Sequence, residues 1–403
     1  MYSVSQSVLP TEIAPNVAHI APLLLLLSRE TLTPAEADRA RALARSVTDW
    51  PMLVRTAMSK RCLPFVYRHV AALDLLPPEA PLRQEMKQIT LVLASRWLSY
   101  AQAHRVFVET CLAPHGTPHL FFKGVSLARY YAQPSLRTSR DIDVLVRQAD
   151  VRPLIERATD AGYRVILDRR TGHLAKCARD VEAVLRYKRD VPLVSPEGIP
   201  IEVHADLWHG ADFVDSQTLL DRAETCSMAG IELRVMPTAE LFVYLCHHHN
   251  RHLWSSLNWL ADISAIRSAP DFDEARAWSV ADRFALREVV EATLAFDDLS
   301  RGRPSAQPPL ARARAEESRR FCLMIADGHV DTERGLYFER IDPTDDWRAS
   351  DALHETVRHR AWRSRLTPNL DQYQACPLPL WLHWLYPLGR AIIGARRAAG
   401  RER

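Results

Sequence analysis

The sequence predicts an α+β protein in which a small mixed sheet is flanked by N-terminal and C-terminal helical regions. Three observations carry this expectation. Apolar residues recur at helical spacing up to about residue 110 and again from Pro237 onward. Between those stretches, short strand-like runs alternate with helix-like segments. Proline and glycine mark the change at Pro114-His115-Gly116. The boundaries that follow are 1–112 for an N-terminal helical region, 113–236 for an α/β core and 237–403 for a C-terminal helical region.

In the first region, Leu23 to Leu27 is a five-leucine run. It lacks a basic residue upstream and a small-residue cleavage site, so it reads as the buried face of a first helix rather than a signal peptide. It is also far shorter than the ~20 apolar residues that span a bilayer. Asp49-Trp50-Pro51 has the form of a helix start, and Leu53, Val54, Ala57 and Met58 follow at helical spacing. A second amphipathic stretch runs from about Pro81 to Val108.

In the middle region, Leu120-Phe121-Phe122 is a short apolar run ending at Lys123-Gly124, with a helix-like segment from Val125 to Tyr131. Asp141 to Val146 reads as a strand, 150–161 as a helix, Tyr163 to Leu167 as a strand and Ile199 to Leu207 as another, after a poorly patterned stretch. In the last region, Thr238-Ala239-Glu240 opens a helix bearing His247 to His249 and His252. Residues 301–315 read as an exposed linker or loop. The apolar, Trp-rich stretch 377–396 is interrupted by prolines and glycines and reads as a structural tail or a membrane-surface contact.

Composition narrows the function classes. Hydrophobic residues at 47% and charged residues at 25% exclude a disordered or collagen-like chain. A net charge of +3 gives no global basic field for nucleic acid. Seven cysteines, an odd number with no CxxC spacing, argue against a disulfide framework or thiolate zinc site and fit a reducing, cytoplasmic compartment. Only five of the 52 basic residues are lysines, so a lysine in a chemically suggestive place stands out.

The chemistry concentrates between Phe121 and His204. Strand alternation places Asp141 and Asp143 on one face, with Ile142 on the other. Two close anions repel unless a cation neutralises them, and a hard divalent ion such as Mg2+ prefers carboxylate oxygens and brings phosphate oxygens with it. Solvated acids at a strand end give the same pattern. Ile201-Glu202-Val203-His204 adds an acid and a histidine on one face of an otherwise apolar strand, where an unpartnered acid is costly. Phe122-Lys123-Gly124-Val125-Ser126 joins a strand to a helix through a glycine, and such a turn offers N–H donors to phosphate.

The order of these pieces resembles the DNA-polymerase-beta-like nucleotidyltransferase superfamily, and in particular its bacterial family of uncharacterised nucleotidyltransferases. The matching residues are Lys123-Gly124, Arg137, the Asp141-Ile142-Asp143-Val144-Leu145-Val146 strand and Ile201-Glu202-Val203-His204. Trp50 to Val70 and Glu240 to Asp262, the latter with His249, His252, Trp254 and Trp259, also resemble that family. The resemblance covers most of the chain and is strongest from 121 to 146. One departure stands out: the superfamily usually has Gly-Ser at the triphosphate turn, whereas Ser126 here lies two residues after Gly124.

The resemblance implies transfer of a nucleoside monophosphate from a nucleoside triphosphate to an acceptor, with release of pyrophosphate. It implies Asp141, Asp143 and Glu202 as catalytic metal ligands for about two Mg2+ (or Mn2+) ions. Lys123, Gly124, Ser126, Arg137, Arg140, His249 and His252 are the implied nucleotide-binding residues, and His204 touches substrate or orients Glu202. For Arg137 a supporting salt bridge is an equal alternative. The acceptor is a small molecule, peptide, protein or RNA; no membrane span is expected, and the oligomeric state is open. Two other readings stand beside this one: a catalytically inactive nucleotide-binding regulatory or scaffold protein, and a metal-dependent hydrolase built on His248, His249 and His252.

Overall fold

The computed structural model describes residues 15–169, 171–207, 216–228, 231–325, 347–348 and 368–387. Trp208 and the end of the C-terminal tail, 388–403, lie outside the described residues. The chain divides into two compact units, each built from three stretches of sequence. One comprises Met1–Ser99, Gly124–Ser139 and Pro237–Asp351; the other comprises Tyr100–Lys123, Arg140–Met236 and Ala352–Arg403.

The first unit is helical. It contains α1 (Pro15–Leu27), α2 (Pro34–Ala44), α3 (Trp50–Ser59), α4 (Leu63–Ala72) and most of α5 (Pro81–Phe107). All five leucines from Leu23 to Leu27 are buried, as their run predicts. The Asp49 carboxylate caps α3 by accepting the Met52 N–H at 2.8 Å, and Leu53, Val54 and Ala57 form the buried face. Thr33 and Glu36 close a capping box at the start of α2. Several charged groups inside this unit meet partners distant in sequence. Asp297 faces Arg29, Arg267 and Arg301, while Arg301 also reaches Glu36. Lys60, buried, donates to the carbonyls of Cys322 (2.6 Å) and Ile325 (2.5 Å).

The second unit carries an eight-stranded mixed sheet. Its strands are β1 (His119–Phe121), β2 (Ile142–Val146), β3 (Arg164–Asp168), β4 (His173–Leu174), β5 (Asp190–Val194), β6 (Pro200–His204), β7 (Glu224–Met228) and β8 (Ile231–Val235), in the spatial order β4-β3-β5-β6-β2-β1-β8-β7. Helices α6 (Gln148–Asp160), α7 (Ala178–Tyr187) and α8 (Ser216–Asp221) lie in the same unit. Every residue of β2 is buried, because it is central and covered on both faces. It runs parallel to β6 and antiparallel to β1. The connection Gly124–Tyr130 after β1 is a 3-10 helix belonging to the first unit, and Gly124 enters it at φ +62, where a side chain would be strained.

The helices α9 (Thr238–Arg251), α10 (Asn258–Arg267), α11 (Glu274–Arg283), α12 (Arg287–Arg301) and α13 (Pro309–Met324) complete the described helical unit. The linker read at 301–315 is in part helical: α13 begins at Pro309, whose missing N–H is harmless at a first turn. The poorly patterned stretch before Ile199 holds β4, α7 and β5. Near the C-terminus, α14 (Leu370–Ala375) docks in the sheet unit through Tyr373, which donates to Asp180 at 2.6 Å. No described helix is long and apolar enough to cross a membrane.

Two buried histidines, one in each unit, make the fold acid-sensitive. Burial lowers the pKa of His69 to about 4 and that of His104 to about 3. Both values fall below the unfolded value near 6.5, so the unfolded chain binds protons that the fold refuses. Stability is therefore complete above pH ~6.5 and is lost as pH falls toward 4, by roughly 3 kcal/mol per histidine. Denaturant titrations between pH 7 and 4 will show that loss, and His104→Leu will flatten the pH dependence of the unit that contains it.

Candidate active site

Parallel pairing of β2 and β6 puts Asp143 directly beside Glu202, and Leu145 beside His204. Alternation then places Asp143, Glu202 and His204 on one face, while Ile142, Val144, Ile201 and Val203 occupy the other and are buried. On the far side of β6, antiparallel β5 sets Asp190 opposite His204. Three acids and a histidine are thus gathered by register across three adjacent strands.

Asp143 is 1% exposed, and its charge is met from two sides. Lys123 Nζ stands 2.8 Å from Oδ1, and His204 Nε2 stands 3.1 Å from the same oxygen. Burial alone would raise the Asp143 pKa, but Lys123 and then His204 hold the carboxyl well below the usual carboxylate range. His204 responds in the opposite sense. Burial alone would lower its pKa, yet hydrogen bonds to Asp143 and Glu202 push it up to about 9, so the ring is a cation at neutral pH. Phe122 packs edge-on against this imidazole, with centroids 5.2 Å apart.

Glu202 is partly exposed and also faces two cations. His204 Nε2 lies 3.6 Å from Oε2, and Arg169 Nη1 lies 2.9 Å from Oε1. The other arm of the Arg169 guanidinium pairs with Asp190. Burial alone would lower the Arg169 pKa, but the charges of Glu202, Asp190 and Asp141 raise it. Asp141 is half-buried just ahead of β2, close enough to act on Arg169.

Among the described residues, one group of three or more acids, histidines or cysteines could hold a metal ion. It consists of Asp143, Glu202 and His204, whose ligand atoms all lie within 4.8 Å of one another. Asp141 is not one of the three, and His248, His249 and His252 form no second group. The Asp143 Oδ2 atom is buried without a hydrogen-bond partner among the described residues, although such an atom is costly to leave unmet. Two carboxylates with one unmet oxygen fit a divalent cation such as Mg2+ or Mn2+, with His204 as their hydrogen-bonding and charge partner.

Of the remaining residues singled out in the sequence, Arg140 begins a stretch of the sheet unit, and Ser126, Arg137, His249, His252 and Trp254 lie in the helical unit. Arg137 is buried and forks onto Asp262, with Nε to Oδ1 at 3.1 Å and Nη2 to Oδ2 at 3.0 Å. It also donates to Thr138 O and Ser139 Oγ, and Tyr131 donates to Asp262 at 2.7 Å. Ser126 is 3% exposed in the 3-10 helix that Gly124 opens. Arg140 is exposed, and its carbonyl accepts from Tyr100 at 2.7 Å. His249 is buried and lies flat against Trp259, at 4.6 Å and 3°, while His252 is half-buried at the end of α9. Trp254 is fully buried and donates to Asn250.

Sequence reasoning missed Arg169 and Asp190. Neither sits in a recognisable local pattern, and only the β3–β5–β6 pairing makes them neighbours of Glu202.

A mixed sheet thus brings register-matched carboxylates and cations together in a group that could hold a divalent ion. The chain matches the model of the uncharacterised nucleotidyltransferase family over residues 46–298 and belongs to that family. No curated protein matches it.

The Arg137–Asp262 pair yields a stability prediction. Removing one partner leaves the other charge buried, so Arg137→Met will destabilise the helical unit by roughly 3–5 kcal/mol. Arg137→Met combined with Asp262→Leu will recover much of the loss, as read by chemical denaturation.

Proposed function

We propose that this protein transfers a nucleoside monophosphate from a nucleoside triphosphate to an acceptor, releasing pyrophosphate, on the plan of the DNA-polymerase-beta-like nucleotidyltransferases. The observation that carries the reading is the register match of Asp143 and Glu202 on adjacent parallel strands, with Lys123 against the same carboxylate. Family membership supports the general activity.

The chain's own residues divide the work. Asp143 and Glu202, with Asp141 beside them, would hold Mg2+ or Mn2+. When bound, the metal supplies charge neutralisation for the phosphoryl oxygens and activation of the acceptor. Asp143 is suited to this because it stays ionised despite its burial. Glu202 is the more exposed carboxylate, so it is placed to receive the proton of the attacking acceptor. Lys123, on a partly exposed side chain, meets β- and γ-phosphate oxygens, and the Gly124 turn adds backbone donors. His204 orients Asp143 through a hydrogen bond at 3.1 Å and Glu202 through an ion pair at 3.6 Å. Arg137, tied to Asp262, fixes the Thr138–Ser139 backbone ahead of Arg140. Arg140, exposed in the same unit as the carboxylates, completes the proposed nucleotide contacts. The compartment we propose is the bacterial cytoplasm, with a small molecule, peptide, protein or RNA as acceptor.

The test is pyrophosphate release from each of ATP, GTP, CTP and UTP with Mg2+ and a cell extract as the source of acceptor. Asp143→Ala or Glu202→Gln will lower the rate by about 10³-fold or more while leaving the fold intact by circular dichroism. Unchanged turnover in either variant rules the reading out. Mass spectrometry of labelled products will identify the acceptor.

A further inference from the structure

Arg169 holds a position that the proposed chemistry does not use. It stands just past β3, at the turn into β4, where Thr171 Oγ1 donates to Asp168 Oδ2 at 2.9 Å and Gly172 takes φ +70. From there its guanidinium forks across two strands, onto Asp190 at the start of β5 and onto Glu202 in β6. Despite these partners the side chain is 39% exposed, so it can leave without opening a packed core.

The two carboxylates it bridges differ in kind. Glu202 belongs to the cluster whose ligand atoms converge with those of Asp143 and His204; Asp190 does not. Oxygen Oε1 of Glu202 is the atom engaged by Arg169, and Oε2 faces His204. A divalent cation between Asp143 and Glu202 would be repelled by a guanidinium 2.9 Å from one of its ligand oxygens. Asp190 offers that guanidinium somewhere to stay once Glu202 is released.

We propose that Arg169 is a positioning residue: it is the internal counter-ion of Glu202, exchanged for the incoming divalent cation and retained by Asp190. The inference rests on the metal-site reading above. It explains why a partly exposed arginine bridges one carboxylate inside the ligand cluster and one outside it. It also makes metal occupancy a competition between two cations, in which the apo site is kept neutralised and shaped.

The experiment is Mn2+ binding to the metal-free full chain, without nucleotide, by electron paramagnetic resonance of free Mn2+. Arg169→Gln will tighten binding about 10-fold, because the competing cation is gone. Lys188→Gln removes an exposed positive charge two residues from Asp190 and will change binding less than about twofold, which separates competition from a general field. Asp190→Asn leaves Arg169 with Glu202 alone and will weaken binding about fivefold, but will do so less than about twofold in the Arg169→Gln background. Equal or weaker binding by Arg169→Gln, equal tightening by Lys188→Gln, or additive effects of the two site variants would overturn the inference while leaving the metal site standing. Absence of Mn2+ binding in every variant would overturn both.

Discussion

A carboxylate kept ionised inside a covered strand is the constraint on which the site depends. Asp143 lies in β2, whose every residue is buried, and a lone charge there would cost several kcal/mol. Lys123 from the end of β1 and His204 from β6 both meet its Oδ1 atom. Strand order β6-β2-β1 is what brings those two cations to it. Register is equally strict: a slip of β6 by one residue would turn Glu202 and His204 to the opposite face and bury Ile201 and Val203 against charge.

The cluster is held in a state of near balance. Asp143, Glu202 and Asp190 are answered by Lys123, His204 and Arg169, and the raised pKa of His204 follows from the same partners that lower that of Asp143. Such a balance of opposed charges holds the side chains of the cluster in place. It also leaves one buried oxygen, Asp143 Oδ2, unmet among the described residues.

The helical unit uses the same chemistry for a different end. Arg29 is fully buried beside Asp297, Arg137 is buried on Asp262, and Lys60 caps carbonyls at the end of α13. These cations are struts whose partners lie far away in sequence, so they fix which helices pack together. Buried ion pairs of this kind add little net stability, but breaking one is costly, which makes the packing specific.

The local patterns were legible from residues alone. The Leu23–Leu27 run, the Asp49 cap, the Asp141–Val146 strand and the alternation in Ile201–His204 each follow from periodicity or turn chemistry that acts within a few residues. The sharing of one face by Asp143, Glu202 and His204 was partly legible, since alternation fixes the face within a strand but not the neighbouring strand. Tertiary structure alone decided the rest. It set β2 beside β6, brought Lys123 onto Asp143, folded the unpatterned stretch before Ile199 into β4, α7 and β5, and placed Arg169 between Asp190 and Glu202. It also gave Arg137 a buried carboxylate in α10. The reason is physical: side-chain periodicity is a local property of the backbone, whereas the pairing of charges depends on which strands and helices become neighbours.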